Sequence, residues 1–104
     1  MSKEQTKTTE KPETNIRAHI QEPPLFHVVL LNDDYTTMDF VIYVLEAVFH
    51  KRPAEATQIM LHVHRNGKGM CGVFPLDIAE MKVLAVHELA RKHAFPLKCV
   101  MERE

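Results

Sequence analysis

The sequence predicts an α+β sandwich of order βααβαβ, with three helices packed on a small three-stranded antiparallel sheet. Three observations carry that expectation. Short apolar runs suited to strands stand at 26–31, 69–74 and 97–102. Between them, apolar residues recur at helical spacing in three stretches, two of them consecutive. Turn formers and helix breakers mark the joints: Asn32-Asp33-Asp34, Pro53, Asn66-Gly67, Pro75 and Pro96. There is no internal repeat.

Residues 1–24 consist mainly of Lys, Glu, Thr, Gln and Pro in balanced charge, with Ile16 and Ile20 the large aliphatics after Met1. Such a segment buries too little to offset its ordering entropy. It reads as a disordered N-terminal arm over 1–24, closed by Pro23-Pro24, ahead of a folded body over 25–104. Phe26 to Leu31 is β-branched and nearly continuously apolar, as a central strand is, and Asn32-Asp33-Asp34 halts it. Thr36 is the expected cap of the first helix, with Asp39 as a short capping-box acid. Val41, Val44, Leu45 and Val48 then form one face, to about His50. Pro53 suits the first turn of a second helix whose face is Ala56, Ile59, Met60 and Val63, and Asn66-Gly67 stops it. Gly69 to Phe74 alternates as a strand does. Ala79, Val83, Val86 and Ala90, with Leu89 beside them, define a third helix that ends before Pro96. Glu88 and Lys92 form a favourable i,i+4 pair on it. Leu97, Cys99 and Met101 alternate with polar or smaller residues in a closing strand.

Composition excludes several classes. At 104 residues and 45% hydrophobic, the chain holds one modest core and no multidomain enzyme. Lys plus Arg number 13 against 14 Asp plus Glu, so no basic field draws in nucleic acid. The 7 His are scattered from His19 to His93. Cys71 and Cys99 lack C-x-x-C spacing and suit a reducing compartment, so the expected location is the cytoplasm. The N-terminus has no apolar signal region and no stretch is long enough to span a bilayer, which predicts no membrane association.

The most pointed chemical feature is Asn32-Asp33-Asp34 at the end of a hydrophobic strand. Asn and Asp end strands and begin turns for purely conformational reasons. Adjacent acceptors beside an apolar helix face also suit an ammonium group, and both readings stand at this level. The D-x-D-x-D-G spacing of a Ca²⁺ loop is absent. His62-x-His64 invites a zinc reading, but residues two apart on a helix point to different faces, so no metal and no cofactor is expected. A general acid-base pair of His64 with Asp33 or Asp34 lacks an accompanying nucleophile motif, because the lone Ser, Ser2, lies in the arm. The expectation is a protein that is not an enzyme. Met38, Met60, Met70, Met81 and Met101 read mostly as core filler, with Met38 and Met60 also placed to form a flexible apolar wall. Tyr35 reads as a packed turn aromatic and Arg65-Asn66-Gly67-Lys68 as a solvated turn.

Three segments, LFHVVLLNDDYTTMDFVI, ATQIMLHVHRNGKGMCGVF and FPLKCVMERE, resemble the ClpS family of bacterial Clp protease adaptors in order and spacing. The resemblance covers essentially everything after Pro24. It implies an adaptor that recognises N-degrons, proteins with a bulky apolar N-terminal residue (Leu, Phe, Tyr or Trp), and hands them to a Clp AAA+ unfoldase of the ClpA type. By the same resemblance, Asn32, Asp33 and His64 hold the substrate α-amine. Asp34, Thr36, Met38, Val41, Met60, Val63 and Leu97 form the pocket and rim. Asp77 and Lys82 meet the unfoldase N-terminal domain, with Asp77 in place of a longer acid. The arm would engage the unfoldase during hand-over. Thr37 stands where a proline often follows the capping Thr, and Asp39 where Glu is common, which implies a less rigid first helical turn. The competing readings are a generic protein-interaction domain with the same layout, or a small hydrolase using His64 and Asp33.

Overall fold

The computed structural model describes residues 22–104. The arm expected over 1–24 therefore falls mostly outside the described residues. The elements are β1 (Leu25–Leu31), α1 (Met38–Ala47), α2 (Pro53–Asn66), β2 (Lys68–Pro75), α3 (Leu76–Lys92) and β3 (Lys98–Arg103). This is the expected βααβαβ order. The sheet runs β2-β1-β3 with both pairings antiparallel, so the most apolar strand is the central one, as its composition demands. β1 pairs with β2 from Leu25↔Pro75 to Leu31↔Lys68, with a bulge between Val28 and Val29, and with β3 from Phe26↔Arg103 to Leu31↔Lys98.

One face of the sheet carries the helices. α3 packs across all three strands, α2 against β2, and α1 against α2. Between them lies the core, with Val28, Leu30, Val44, Leu45, Ala56, Val63, Cys71 and Val86 at its centre. On the open face, Lys68 of β2 reaches Glu102 of β3 at 3.1 Å, an ion pair that crosses the central strand. His87 on α3 accepts a 3.0 Å hydrogen bond from the Cys99 N–H and so satisfies a donor of the β3 strand. Both cysteines are free and buried. Desolvation raises each thiol to about 12, helped at Cys71 by the neighbouring Cys99, so neither is a reactive thiolate.

Three local expectations are corrected. The N-cap of α1 is Thr37, whose Oγ1 accepts from Phe40 N at 3.1 Å, while Thr36 is recruited by Asp33 instead. Asp39 thus sits in the first turn as a dipole-complementing acid and not as the partner in a Thr36 capping box. α1 stops at Ala47, and His50 adopts a left-handed φ of 58° that reverses the chain. The methionines are not mainly filler: Met60 is buried, but Met38, Met70 and Met81 are 46%, 49% and 65% exposed.

Candidate functional site

The site is assembled where β1 ends beside the C-terminus of α2. Asn32 N donates to Gly67 O at 2.9 Å, tying the residue after the strand to the residue that closes the helix. Gly67 has φ +89°, a left-handed geometry that glycine adopts without strain. Two residues on, Gly69 lies against α2 so closely that a Cβ there would sit 2.7 Å from Val63 Cγ2. These two glycines let the α2–β2 joint fold tightly and bring His64 up to the turn that follows β1.

The turn itself is organised by one carboxylate. Asp33 Oδ1 accepts from Tyr35 N at 2.8 Å and Thr36 N at 2.7 Å, and its Oδ2 accepts from Thr36 Oγ1 at 2.7 Å. Partial burial pushes the Asp33 pKa up, but the bonds from Thr36 N, Thr36 Oγ1 and Tyr35 N outweigh it and hold the pKa below the ordinary carboxylate value. The group is an anion near neutrality. A carboxylate offers about four lone-pair positions, so three internal bonds leave acceptor capacity for one outside donor.

Asn32, Asp33, Asp34, Thr36, Met38, Val41, Met60, Val63 and His64 line one cavity of about 200 Å³. The turn and His64 supply its polar rim, α1 and α2 its apolar floor. Every residue expected at the α-amine site is present. Of the expected apolar set, Leu97 is absent from the lining. It is 3% exposed in the core and borders a separate groove with His87 and Arg91, because Pro96-Leu97 enters β3 on the side of α3. Tyr35 is no packed turn aromatic: it is 79% exposed at the tip.

Among the described residues His64 makes no hydrogen bond to Asp33, whose oxygens accept from Tyr35 and Thr36. His62 and His64 diverge as helical geometry requires: His62 bonds the Asn66 side chain at 3.0 Å and His64 lines the cavity.

Asp77 and Lys82 are both on α3, but in different circumstances. Asp77 is exposed in the first turn. Lys82 is half-buried, donates to Val48 O at 2.7 Å, and stands 6.0 and 5.7 Å from the ring centres of Phe49 and Phe74. It fastens α3 to the end of α1, a role the sequence did not announce. Around this pair Leu76, Ile78, Met81 and Leu84 are exposed, the last two by 65% and 57%.

The sequence profile described as ATP-dependent Clp protease adaptor protein ClpS matches residues 21–100. The chain belongs to the ClpS family. A ClpS adapter protein from Caulobacter vibrioides is 52% identical over 91 residues, covering 88% of this chain and 84% of that one. One from Acetivibrio thermocellus is 53% identical over 98 residues, covering 94% and 97%. Among solved structures, Agrobacterium tumefaciens ClpS2 bound to L-phenylalaninamide superposes with a TM-score of 0.78 at 40% identity, covering 80% of this chain and all of that one. The ClpS fold is thus the α+β sandwich described above. No helix among the described residues is long and apolar enough to cross a membrane.

Proposed function

We propose that this chain binds proteins through a free, bulky apolar N-terminal residue and delivers them to a Clp AAA+ unfoldase. The observation that carries the reading is the cavity in which three acceptor-bearing side chains, Asn32, Asp33 and His64, meet an apolar floor of Val41, Met60 and Val63 with Met38 at its edge. An N-terminal residue has a matching pair of features: an ammonium with three donors and one side chain. The cavity of about 200 Å³ lies below the roughly 300–1,000 Å³ of pockets for drug-sized ligands and suits one side chain. The relative bound to L-phenylalaninamide supports the same chemistry, since that ligand is a free amine carrying an aromatic side chain.

The energetics suffice without a covalent step or cofactor. Burying a Leu or Phe side chain contributes about 1.5–3 kcal/mol, and each charge-assisted hydrogen bond about 1.5–3 kcal/mol before ordering costs. Together these reach the ~8 kcal/mol of micromolar binding. His64 presents its ring to the same cavity as Asn32 and Asp33. The chain works by binding and release in the cytoplasm. Delivery uses the α3 surface around Asp77, Lys82, Met81 and Leu84, facing the N-terminal domain of a ClpA-type unfoldase, and residues 1–24 take part in hand-over. Fluorescence anisotropy with peptides that differ only in their first residue tests the reading. Leu, Phe, Tyr and Trp peptides should bind and Ala, Glu and Lys peptides should not; indifference to the first residue would return the chain to a generic interaction domain.

A further inference from the structure

The cavity assigned above to the N-terminal side chain lies between two helices: Met38 and Val41 come from α1, Met60 and Val63 from α2. Its width is therefore set by how far α1 stands from α2. Of the elements, α2 is the one that runs close beside α1, so whatever holds α1 from its other side decides that width. Phe40 supplies the hold. It follows Met38 by two residues and precedes Val41, spacings that turn it onto a different helical face from theirs, and it is 6% exposed. Three rings surround it: Phe95 with its centroid 4.7 Å away, His93 at 5.2 Å and Tyr43 at 6.0 Å. Tyr43 is on α1 itself, whereas His93 and Phe95 belong to the joint between α3 and β3. That joint is a rigid post. Ala94 N donates to Arg91 O at 3.1 Å and Phe95 N to Ala90 O at 2.8 Å, with Ala94 left-handed at φ 62°, the paired bonds of a Schellman motif. The backbone of Phe95 is thus fixed to the end of α3, the helix that packs on all three strands.

We propose that Phe95 is a positioning residue for the pocket: its ring, packed on Phe40, sets the distance of α1 from α2 and so the size of the N-terminal side chain that the cavity accepts. The inference rests on the pocket reading above and adds to it a residue outside the cavity lining. The bond from Phe40 N to Thr37 Oγ1 shapes the first turn of α1 from within and does not fix where that turn stands relative to α2. The ring contact does, because it ties the turn to a post carried by the sheet and α3. Dispersion contacts are short-ranged, and a gap of about 0.5–1 Å forfeits a quarter to a half of each one. A small outward movement of α1 would therefore loosen the grip on Leu and make room for a larger ring system.

The test uses the full chain and C-terminally labelled Leu-first and Trp-first peptides, read by anisotropy, with the Trp-to-Leu affinity ratio as the readout. Phe95→Leu removes the ring and keeps an apolar side chain. Its Leu-first affinity should fall about fivefold and its Trp-to-Leu ratio should rise about threefold, the scale of one lost aromatic pair. Phe95→Tyr keeps the ring and should keep the parent's ratio. Val86→Ala, at a fully buried position of α3 that lines neither the cavity nor the ring cluster, lowers the melting temperature and should leave the ratio unchanged. A ratio that does not move in Phe95→Leu, or that moves as much in Val86→Ala, overturns the positioning role. His93→Ala, at an exposed position, reads the same shift in weaker form and decides the matter if Phe95→Leu does not fold. A ratio equal to the parent's in that variant then overturns the role. An N-acetylated Leu-first peptide separates the two readings. If the parent binds it as well as the free amine, the pocket reading falls and the positioning role with it. If the parent requires the free amine while Phe95→Leu keeps the parent's ratio, the positioning role alone falls.

Discussion

The turn at 32–36 and the outer face of α3 are both exposed, and they are built in opposite ways. In the turn, Asp33 ties down three donors within three residues, so a charged group is held in place before any ligand arrives. On α3, Leu76, Ile78, Met81 and Leu84 project with no polar scaffold, and the internally bonded Lys82 fixes the helix under them rather than the side chains themselves. A pre-organised concave turn discriminates one functional group, because its acceptors cost little further ordering on binding. An apolar helix face offers area with little chemical selectivity, which suits another protein's surface. On the proposed reading, substrate choice and partner choice are thereby separated on one small domain.

The largest way to break this contrast is at Asp33. Asp33→Asn keeps a side-chain acceptor for the turn but removes the anion. It should weaken a Phe-first peptide by about 2–3 kcal/mol, roughly 30–150-fold, with the circular dichroism spectrum retained. Asp33→Ala should lose as much binding and also lower the melting temperature, since Tyr35 N, Thr36 N and Thr36 Oγ1 lose their acceptor. If both variants bind as the parent does, the turn is only a turn. Next in size is Met81→Glu combined with Leu84→Glu. Anisotropy should show unchanged peptide affinity and a stability change within about 0.5 kcal/mol per exposed site, while affinity for the unfoldase N-terminal domain falls about tenfold or more, near 1.4 kcal/mol. Equal loss of both affinities would merge the two regions into one.

These regions also mark how far the sequence was legible. Element order and the central strand followed from periodicity and punctuation, because each signal is local, whereas the expected pocket set was implied by the resemblance to the ClpS family. Thr36 and Thr37 are adjacent and chemically alike as caps. Only the three-dimensional fit, with Asp33 taking the Thr36 hydroxyl, decides that Thr37 caps α1. The bond from Lys82 to Val48 O joins residues 34 apart, and no local pattern announces such a contact. Leu97 is apolar and near the site in the family resemblance, yet its place in the lining depends on how Pro96 turns the chain into β3, which its own residue type does not encode.

A smaller effect sharpens the pocket side of the comparison. Met38 is half exposed at the cavity edge, where on the proposed reading an unbranched side chain would close over Leu or a ring and crowd a branch at Cβ. Met38→Ala should admit Ile-first and Val-first peptides while Leu binding stays within about tenfold, near 1.4 kcal/mol. An unchanged Ile-to-Leu ratio would make Met38 a bystander.

The smallest effect is the pH dependence of folding carried by Asp33. Its pKa is lowered in the folded chain, so the unfolded chain takes up the proton first as pH falls. The stabilisation is full above the unfolded carboxylate value of about 3.9 and disappears as pH drops through the lower folded value. The stability gap between the parent and Asp33→Asn should hold constant from neutrality to about pH 4 and close below it. A gap that closes near neutrality would contradict the hydrogen bonding of the turn.

The most direct measurement compares one Phe-first peptide with its N-acetylated form by anisotropy, on the full chain at neutral pH. Acetylation removes the positive charge and two donors without touching the side chain. The free amine should bind in the micromolar range and the acetylated peptide at least about thirtyfold more weakly, the equivalent of a charge-assisted hydrogen bond of about 2 kcal/mol. Equal affinity for the two would mean that the Asn32, Asp33 and His64 rim does not read an N-terminus.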